Sequence, residues 1–183
     1  MGQSARARMV LLATLLVGAS VAAATPHRHR APVAKPTSAQ LRVASQDGAI
    51  PATFVKKAAL DGMTEVELGR IALSKSQDAK VRSFAERMVR DHGKANEALD
   101  AIAKRKGLSV PMALDPEHRS LIQSLNAKSG TAFDTAYTEH MRDHSKAIAL
   151  FQGAITGPDQ DLATFAKETL PTLEQHEQMA QDP

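Results

Sequence analysis

Apolar residues recur with a period close to 3.6 from residue 51 to the end of the chain, and this pattern constrains the fold more than any other feature. The sequence shows no strand-like alternation of apolar and polar residues. The pattern predicts four amphipathic helices, which cover residues 51–74, 76–106 (or 78–106), 131–156 and 158–180. Gly107 ends the second of them, and Gly157-Pro158 forms the corner between the last two.

The lengths of the connections predict how these helices are arranged. Short turns join the first helix to the second and the third to the fourth, so each pair should be antiparallel. A long connection over residues 107–129, with a short helix at 116–126, can cross the bundle and leave the second and third helices parallel. We therefore predict an all-α domain over residues 49–183, with the ferritin-like form of the four-helix bundle.

The segment before the bundle has the features of an exported protein. Residues 1–24 combine Arg6 and Arg8, an apolar run at 9–21 and a final triple alanine, which together are typical of a cleaved secretory signal peptide. The apolar run is short for a membrane span, so none is expected in the mature protein. Residues 25–48 contain three prolines and are predicted to be a disordered basic linker. The expected location is the periplasm or another site beyond the inner membrane.

Charge and composition narrow the class of function. The formal net charge of +3 comes from the N-terminal segments, because residues 49–183 carry 17 basic and 19 acidic side chains. A nearly neutral domain argues against binding to nucleic acid. The chain contains no cysteine, which excludes disulfides and thiolate metal sites.

Each predicted helix carries one ionisable residue in the middle of its apolar face. Two of these residues occur in a repeated R-D-H-x-K-A pattern, at 90–95 and 142–147. The four residues are Glu65, His92, His144 and His176. Burying such groups is unfavourable unless they pair with one another or bind a cation, so we expect them to converge.

Two interpretations of this cluster remain open. Three imidazoles and one carboxylate suit a single divalent ion, and their nitrogen-rich chemistry favours Zn, Cu or Ni. His140 and Met88, each one turn from a core histidine, are candidate additional ligands. Alternatively, the cluster is a metal-free polar network that fixes the register of the helices. An axial offset of about 6–9 Å between Glu65 and His92, at 1.5 Å per residue, makes their direct contact difficult.

The sequence resembles the bacterial family called domain of unknown function 4142, whose members are labelled predicted outer membrane proteins. The resemblance covers about residues 50–180 and includes FVKKAALDGMTEVELGRIAL, FAERMVRDHGKAN, GTAFDTAYTEHMRDHSKAIALF and FAKETLPTLEQH. It implies a ferritin-like helical bundle and brings no established reaction. The family's recurrent positions correspond to Glu65, Met88, Asp91, His92, Phe133, Asp134, Tyr137, His144, Pro171 and His176.

The candidate residues do not suit a di-iron centre. Such centres in ferritin-like proteins combine glutamates from two helices with a Glu-x-x-His motif from each of the other two. Here Val89 and Leu173 occupy the positions three residues before His92 and His176. A single core carboxylate does not balance two irons, so at most one ion is expected.

Three classes of function follow from these features. The first is a non-catalytic binding protein that holds one metal ion for metal handling or stress response in the cell envelope. The second is a structural or interaction protein whose outer surface binds envelope partners. An enzyme ranks last, because the sequence shows no nucleophile with a partner and no paired carboxylates. The sequence does not determine the oligomeric state.

Overall fold

The computed structural model describes the backbone of residues 38–181 and the side chains of residues 49–181. The predicted signal peptide and residues 25–37 of the predicted linker lie outside this range. Within it the chain forms six α-helices and no strand. They are α1 (Ser38–Lys75), α2 (Ala79–Lys106), α3 (Pro116–Asn126), α4 (Gly130–Arg142), α5 (Ser145–Ile155) and α6 (Gln160–Gln181).

These helices form the predicted all-α, ferritin-like four-helix bundle. Helices α1 and α2 pack as one antiparallel pair, and α6 packs against α4, α5 and α2. The ring of Phe54 in α1 lies 5.2 Å from that of Phe151, late in α5, and 6.3 Å from that of Phe165, early in α6. The connection that contains α3 therefore carries the chain across the bundle, so that α5 runs parallel to α2.

The first helix is longer than the sequence pattern predicts. It begins at Ser38, so residues 38–48 belong to α1 rather than to the predicted linker, and Pro51 lies inside the helix. Gln40, Leu41 and Arg42 have good helix propensity, which the proline content of the whole segment obscures. Pro51 leaves one helical hydrogen bond unmade, but its fixed φ is compatible with a helix.

The third predicted helix is not continuous, contrary to expectation. It divides into α4 and α5 at Asp143 and His144, whose backbone angles are φ −95°, ψ 65° and φ −85°, ψ 0°. The Asp143 carboxylate accepts a 2.6 Å hydrogen bond from the Ser145 hydroxyl. Such local side-chain bonds compete with helical backbone pairing, and the R-D-H-S stretch offers one where the helix breaks.

Two hydrophobic clusters fill the bundle, one towards each end. We call them the first core and the second core. The buried residues of the first core are Phe54, Val55, Ala58, Ala59, Leu99, Ala103, Phe151, Leu162, Phe165, Ala166 and Leu173. Those of the second core are Leu68, Ala72, Val81, Phe84, Ala85, Met88, Leu125, Phe133, Tyr137, Met141 and Ala180. Along each of the four bundle segments, the change from one core to the other occurs around the ionisable residue that interrupts its apolar face.

The start of α2 provides a prediction about stability. Asp78 caps this helix by accepting hydrogen bonds from the backbone N–H groups of Lys80 (2.8 Å) and Val81 (3.1 Å). Removing such a cap typically costs about 1 kcal/mol. We expect Asp78→Ala to lower the free energy of unfolding in urea by about this amount. Glu86→Ala, at an exposed position of the same helix, serves as the control, and equal losses in both variants would contradict the capping role.

Candidate metal centre

Three of the four predicted residues converge between the two cores. His92, His144 and His176 each offer a ring nitrogen, and these atoms all lie within 4.8 Å of one another. Their ring centroids are 5.2 Å apart for His92 and His176, and 6.2 Å for each of the other two pairs. The exposed fractions are 7%, 4% and 0% in the order of the chain. We call this group the histidine triad.

His176 comes from α6 and is oriented by a carboxylate of α2. Its Nε2 lies 3.0 Å from Oδ2 of Asp91. Two arginines hold that carboxylate in turn, with Arg87 Nε at 3.3 Å and Arg90 Nε at 3.2 Å from its oxygens. Burial lowers the pKa of His176, and Asp91 opposes this effect only in part. Burial alone would raise the pKa of Asp91, but His176 and the arginines hold it below its usual value.

His144 reaches the triad because the helix breaks at this position. The residue stands between α4 and α5, where its own carbonyl accepts a 2.8 Å bond from Ile148 N–H in the first turn of α5. Its ring Nδ1 lies 2.7 Å from the carbonyl oxygen of Met141. A carbonyl only accepts hydrogen bonds, so Nδ1 carries the proton and donates it. The break thus provides the ring's hydrogen-bond partner.

His92 belongs to the regular apolar face of α2. The buried positions on this face are Val81, Phe84, Ala85, Met88, His92, Leu99 and Ala103. Burial lowers the pKa of His92 to about 4, although the nearby carboxylate of Glu65 opposes the shift. The imidazole is therefore neutral at physiological pH, which is the state in which histidine binds metal.

Each triad histidine has one buried ring nitrogen without a hydrogen-bond partner: His92 Nε2, His144 Nε2 and His176 Nδ1. In His144 and His176 the other ring nitrogen donates to Met141 or Asp91, so the unpartnered nitrogen carries a free lone pair. An unpartnered buried polar atom costs about 1–3 kcal/mol. Fixing one imidazole nitrogen by an outer hydrogen bond while the other points to the ion is the usual arrangement in metal sites.

Glu65 lies near the triad but is not part of its three-nitrogen group. Its Oε1 forms an ion pair with Nε2 of His140 at 3.5 Å, and its side chain is 14% exposed. Burial alone would raise the pKa of Glu65, but His140 and His92 hold it below its usual value. Burial would likewise lower the pKa of His140, but Glu65 raises it.

The two candidate additional ligands, His140 and Met88, are not members of the histidine triad. His140 belongs to the ion pair with Glu65, and Met88 is fully buried in the second core. Tyr137 is a further polar residue, buried in the second core. Its hydroxyl is buried without a hydrogen-bond partner, and burial together with the Glu65 charge raises the pKa of this phenol.

Asp91 makes a contact that its position on the helix does not predict. On a helical wheel it points about 100° from His92, which predicts a surface role in capping or in pairing with cations. In the structure it reaches sideways to His176 on the neighbouring helix while keeping its arginine contacts. The repeated R-D-H pattern was the available signal, but its second copy behaves differently, since Asp143 bonds only locally to Ser145.

The donor set fits one metal ion. Three buried imidazoles, two of them held by outer hydrogen bonds, resemble the three-histidine arrangement of mononuclear zinc sites, which leave one coordination position open. Nitrogen ligation of this kind suits Zn, Cu or Ni. The group of three contains no carboxylate that could bridge two ions.

Comparisons with known proteins agree with this fold. A similar fold occurs in a solved structure described as "Crystal structure of DUF305 fragment from Deinococcus radiodurans", with a TM-score of 0.65 and 16% sequence identity, over 72% of this chain and 93% of that chain. At that identity the likeness concerns the fold alone. None of the curated proteins matches the sequence. The model of the family described as Domain of unknown function (DUF4142) matches residues 33–182, so the chain belongs to that family.

Proposed function

We propose that this protein binds a single divalent metal ion on His92, His144 and His176 and serves in metal handling or the stress response of the cell envelope. The observation that carries the proposal is the convergence of three buried, unpartnered ring nitrogens within 4.8 Å of one another. Nitrogen ligation directs the choice towards Zn, Cu or Ni. The envelope location rests on the predicted signal peptide at residues 1–24.

A metal-free polar network is the alternative, and the contacts favour it less. Such a network should give each buried polar atom a hydrogen-bond partner, as Asp91 does for Nε2 of His176. The triad instead directs three nitrogens at one another with no proton donor among the pairs that the structure shows. A cation satisfies all three nitrogens at once, whereas a proton on His92 Nε2 serves only one of the other two nitrogens and leaves the third without a partner.

The burial of the triad favours binding over catalysis as the role of the ion. The triad lies in the middle of the bundle, enclosed by two apolar cores and less than 10% exposed at each residue. No helix within residues 38–181 has the combination of length and hydrophobicity that crossing a bilayer requires. A buried ion held by three imidazoles suits storage, sensing or transfer.

The proposal is tested by elemental analysis and calorimetric titration of the purified protein, produced without a histidine tag. Zn²⁺, Cu²⁺ and Ni²⁺ are titrated separately after treatment with a chelator. We expect one ion per chain for at least one metal, with unfolding shifted to higher urea concentration when the ion is present. Failure of all three metals to bind in a 1:1 ratio would reject the proposal.

The outer hydrogen bond to His176 provides a second prediction. Asp91→Asn keeps the size of the side chain but weakens the acceptor for Nε2–H, so His176 becomes a poorer ligand. Losing such a partner typically costs about 10–100-fold in metal affinity, which competition with a chelator measures. Asp100→Asn, which makes the same change on the same helix at a carboxylate that pairs with Lys104, is the matched control. An unchanged affinity in Asp91→Asn would show that Asp91 does not orient a ligand.

A further inference from the structure

A small inner cavity adjoins the histidine triad. It encloses about 20 Å³, which is room for about one water molecule. Most of its wall is apolar, but His92 forms one part, and the Asn96 amide, the Thr169 hydroxyl and the Asp61 carboxylate, which pairs with His118, form others. A cavity next to a metal centre, with space for one small polar molecule, suggests a ligand that the protein itself does not supply.

The helix directions place this cavity on one side of the triad. Its lining includes Ala95, three residues after His92, and Ala147, three residues after His144. It also includes Leu173, three residues before His176. Because α6 runs opposite to α2 and α5, all three positions lie about one helical turn from the triad in the same direction. The inner cavity therefore lies between the triad and the first core.

Three imidazoles leave one position open on a four-coordinate ion. We propose that the inner cavity is the subsite for that fourth ligand and that it accepts a water molecule or an anion of about the same size. This inference rests on the proposed metal site. The size of the cavity sets the specificity: a one-atom ligand fits, and a linear three-atom ligand does not.

A groove on the protein surface shares a lining residue with the inner cavity. Asn96 lines both the inner cavity and an outer groove of about 480 Å³ whose wall includes Glu67 and Arg119. The side chain of Asn96 packs against the Cα atom of Gly62 on α1, at the place where any larger residue would put its Cβ. Asn96 thus belongs to the walls of both the groove and the cavity.

The test uses the copper-loaded protein, since Cu²⁺ binds nitrogen sites at least as tightly as the neighbouring divalent metals. Copper content is measured first, and fluoride is then added while the electron paramagnetic resonance spectrum is recorded. Fluoride matches water in size, and its nuclear spin splits the copper signal when it is bound directly. We expect fluoride to produce this splitting and thiocyanate, a linear three-atom anion, to leave the spectrum unchanged.

Variants that fill the cavity provide the comparison. Ala95→Leu should keep one bound copper but abolish the fluoride splitting, and Ala147→Val is a milder second variant should the larger side chain disturb folding. Ala101→Leu, at an exposed position of the same helix, is the matched control and should behave as the original protein does. Circular dichroism checks the helix content of each.

The outcomes separate this inference from the proposal on which it depends. Bound copper without fluoride splitting would overturn the subsite and leave the metal site intact. Splitting that persists in both Ala95→Leu and Ala147→Val would also overturn it, because the ligand would then enter elsewhere. If splitting is absent in the original protein and present in Glu65→Gln, the fourth position belongs to Glu65 instead. Absence of bound copper would reject the metal site and the subsite together.

Discussion

Replacing His144 with glutamine is expected to abolish 1:1 metal binding while the bundle still folds. The substitution removes one of three nitrogens that lie within 4.8 Å of one another, and two imidazoles alone do not hold a divalent ion tightly. At a free ion concentration about 100 times the dissociation constant, the original protein gains about 2.7 kcal/mol of stability, and the variant should gain almost none. Urea unfolding with and without the ion measures this difference.

The matched control is His140→Gln, one turn earlier on the same segment of the bundle. His140 pairs with Glu65 and is not a member of the triad, so its loss should leave the stoichiometry at one ion. Its removal also tests whether the core histidines bind metal indiscriminately. Equal loss of binding in both variants would contradict the assignment of the ligands, as would full binding in His144→Gln.

Acidification is expected to destabilise the metal-free protein strongly between pH 7.5 and pH 5. His92 has a pKa of about 4 in the folded protein because of its burial, against 6.5 for the ordinary residue. In this interval the unfolded chain binds a proton that the folded chain does not, so stability falls as pH drops below 6.5 and continues to fall towards pH 4. His92 alone contributes a loss of about 2 kcal/mol at pH 5.

Other groups near the triad modify this effect in known directions. The pKa of His176 is also lowered, which adds to the loss on acidification. The pKa of His140 is raised by Glu65, so that pair contributes stability at low pH and loses it as pH rises through the folded pKa. The lowered pKa values of Glu65 and Asp91 contribute stability above the ordinary values of 4.5 and 3.8, and that stability is lost only at more acidic pH.

Urea midpoints of the chelator-treated protein at pH 7.5 and pH 5 measure the result. His92→Gln should show a much smaller difference between the two midpoints, because glutamine does not titrate. A midpoint that does not change with pH in the original protein would contradict the buried, neutral state of His92. A midpoint that rises on acidification would show that ion pairs such as Glu65–His140 dominate the pH dependence of stability.

Much of the fold follows from residue spacing alone. The 3.6-residue period locates α2 and α6 closely, and the short helix at 116–126 matches α3 at both ends. The same helical wheels identify His92, His144 and His176 as interruptions of apolar faces, and the structure brings the three together. Periodicity locates these residues because each helix buries one continuous face. An ionisable residue on that face therefore lies inside the bundle.

The remaining differences come from interactions that periodicity does not describe. The break at Asp143 depends on a side-chain bond to Ser145 and a ring bond from His144 to a freed carbonyl. The contact of Asp91 with His176 depends on the distance between α2 and α6, and the helical wheel of a single helix gives no such distance. Glu65 lies on the expected face, but its carboxylate pairs with His140 and is not among the groups that lie within 4.8 Å of one another.

X-ray absorption spectroscopy of the zinc-loaded protein tests the central claim most directly, because it counts the ligands of the bound ion. We predict a first shell with three imidazole nitrogens at about 2.0–2.1 Å and the multiple scattering that imidazole rings produce. The same spectrum of His144→Gln, recorded at equal zinc content, should lose imidazole scattering. A shell of oxygen ligands alone, or imidazole scattering that the substitution leaves unchanged, would contradict a metal centre built from His92, His144 and His176.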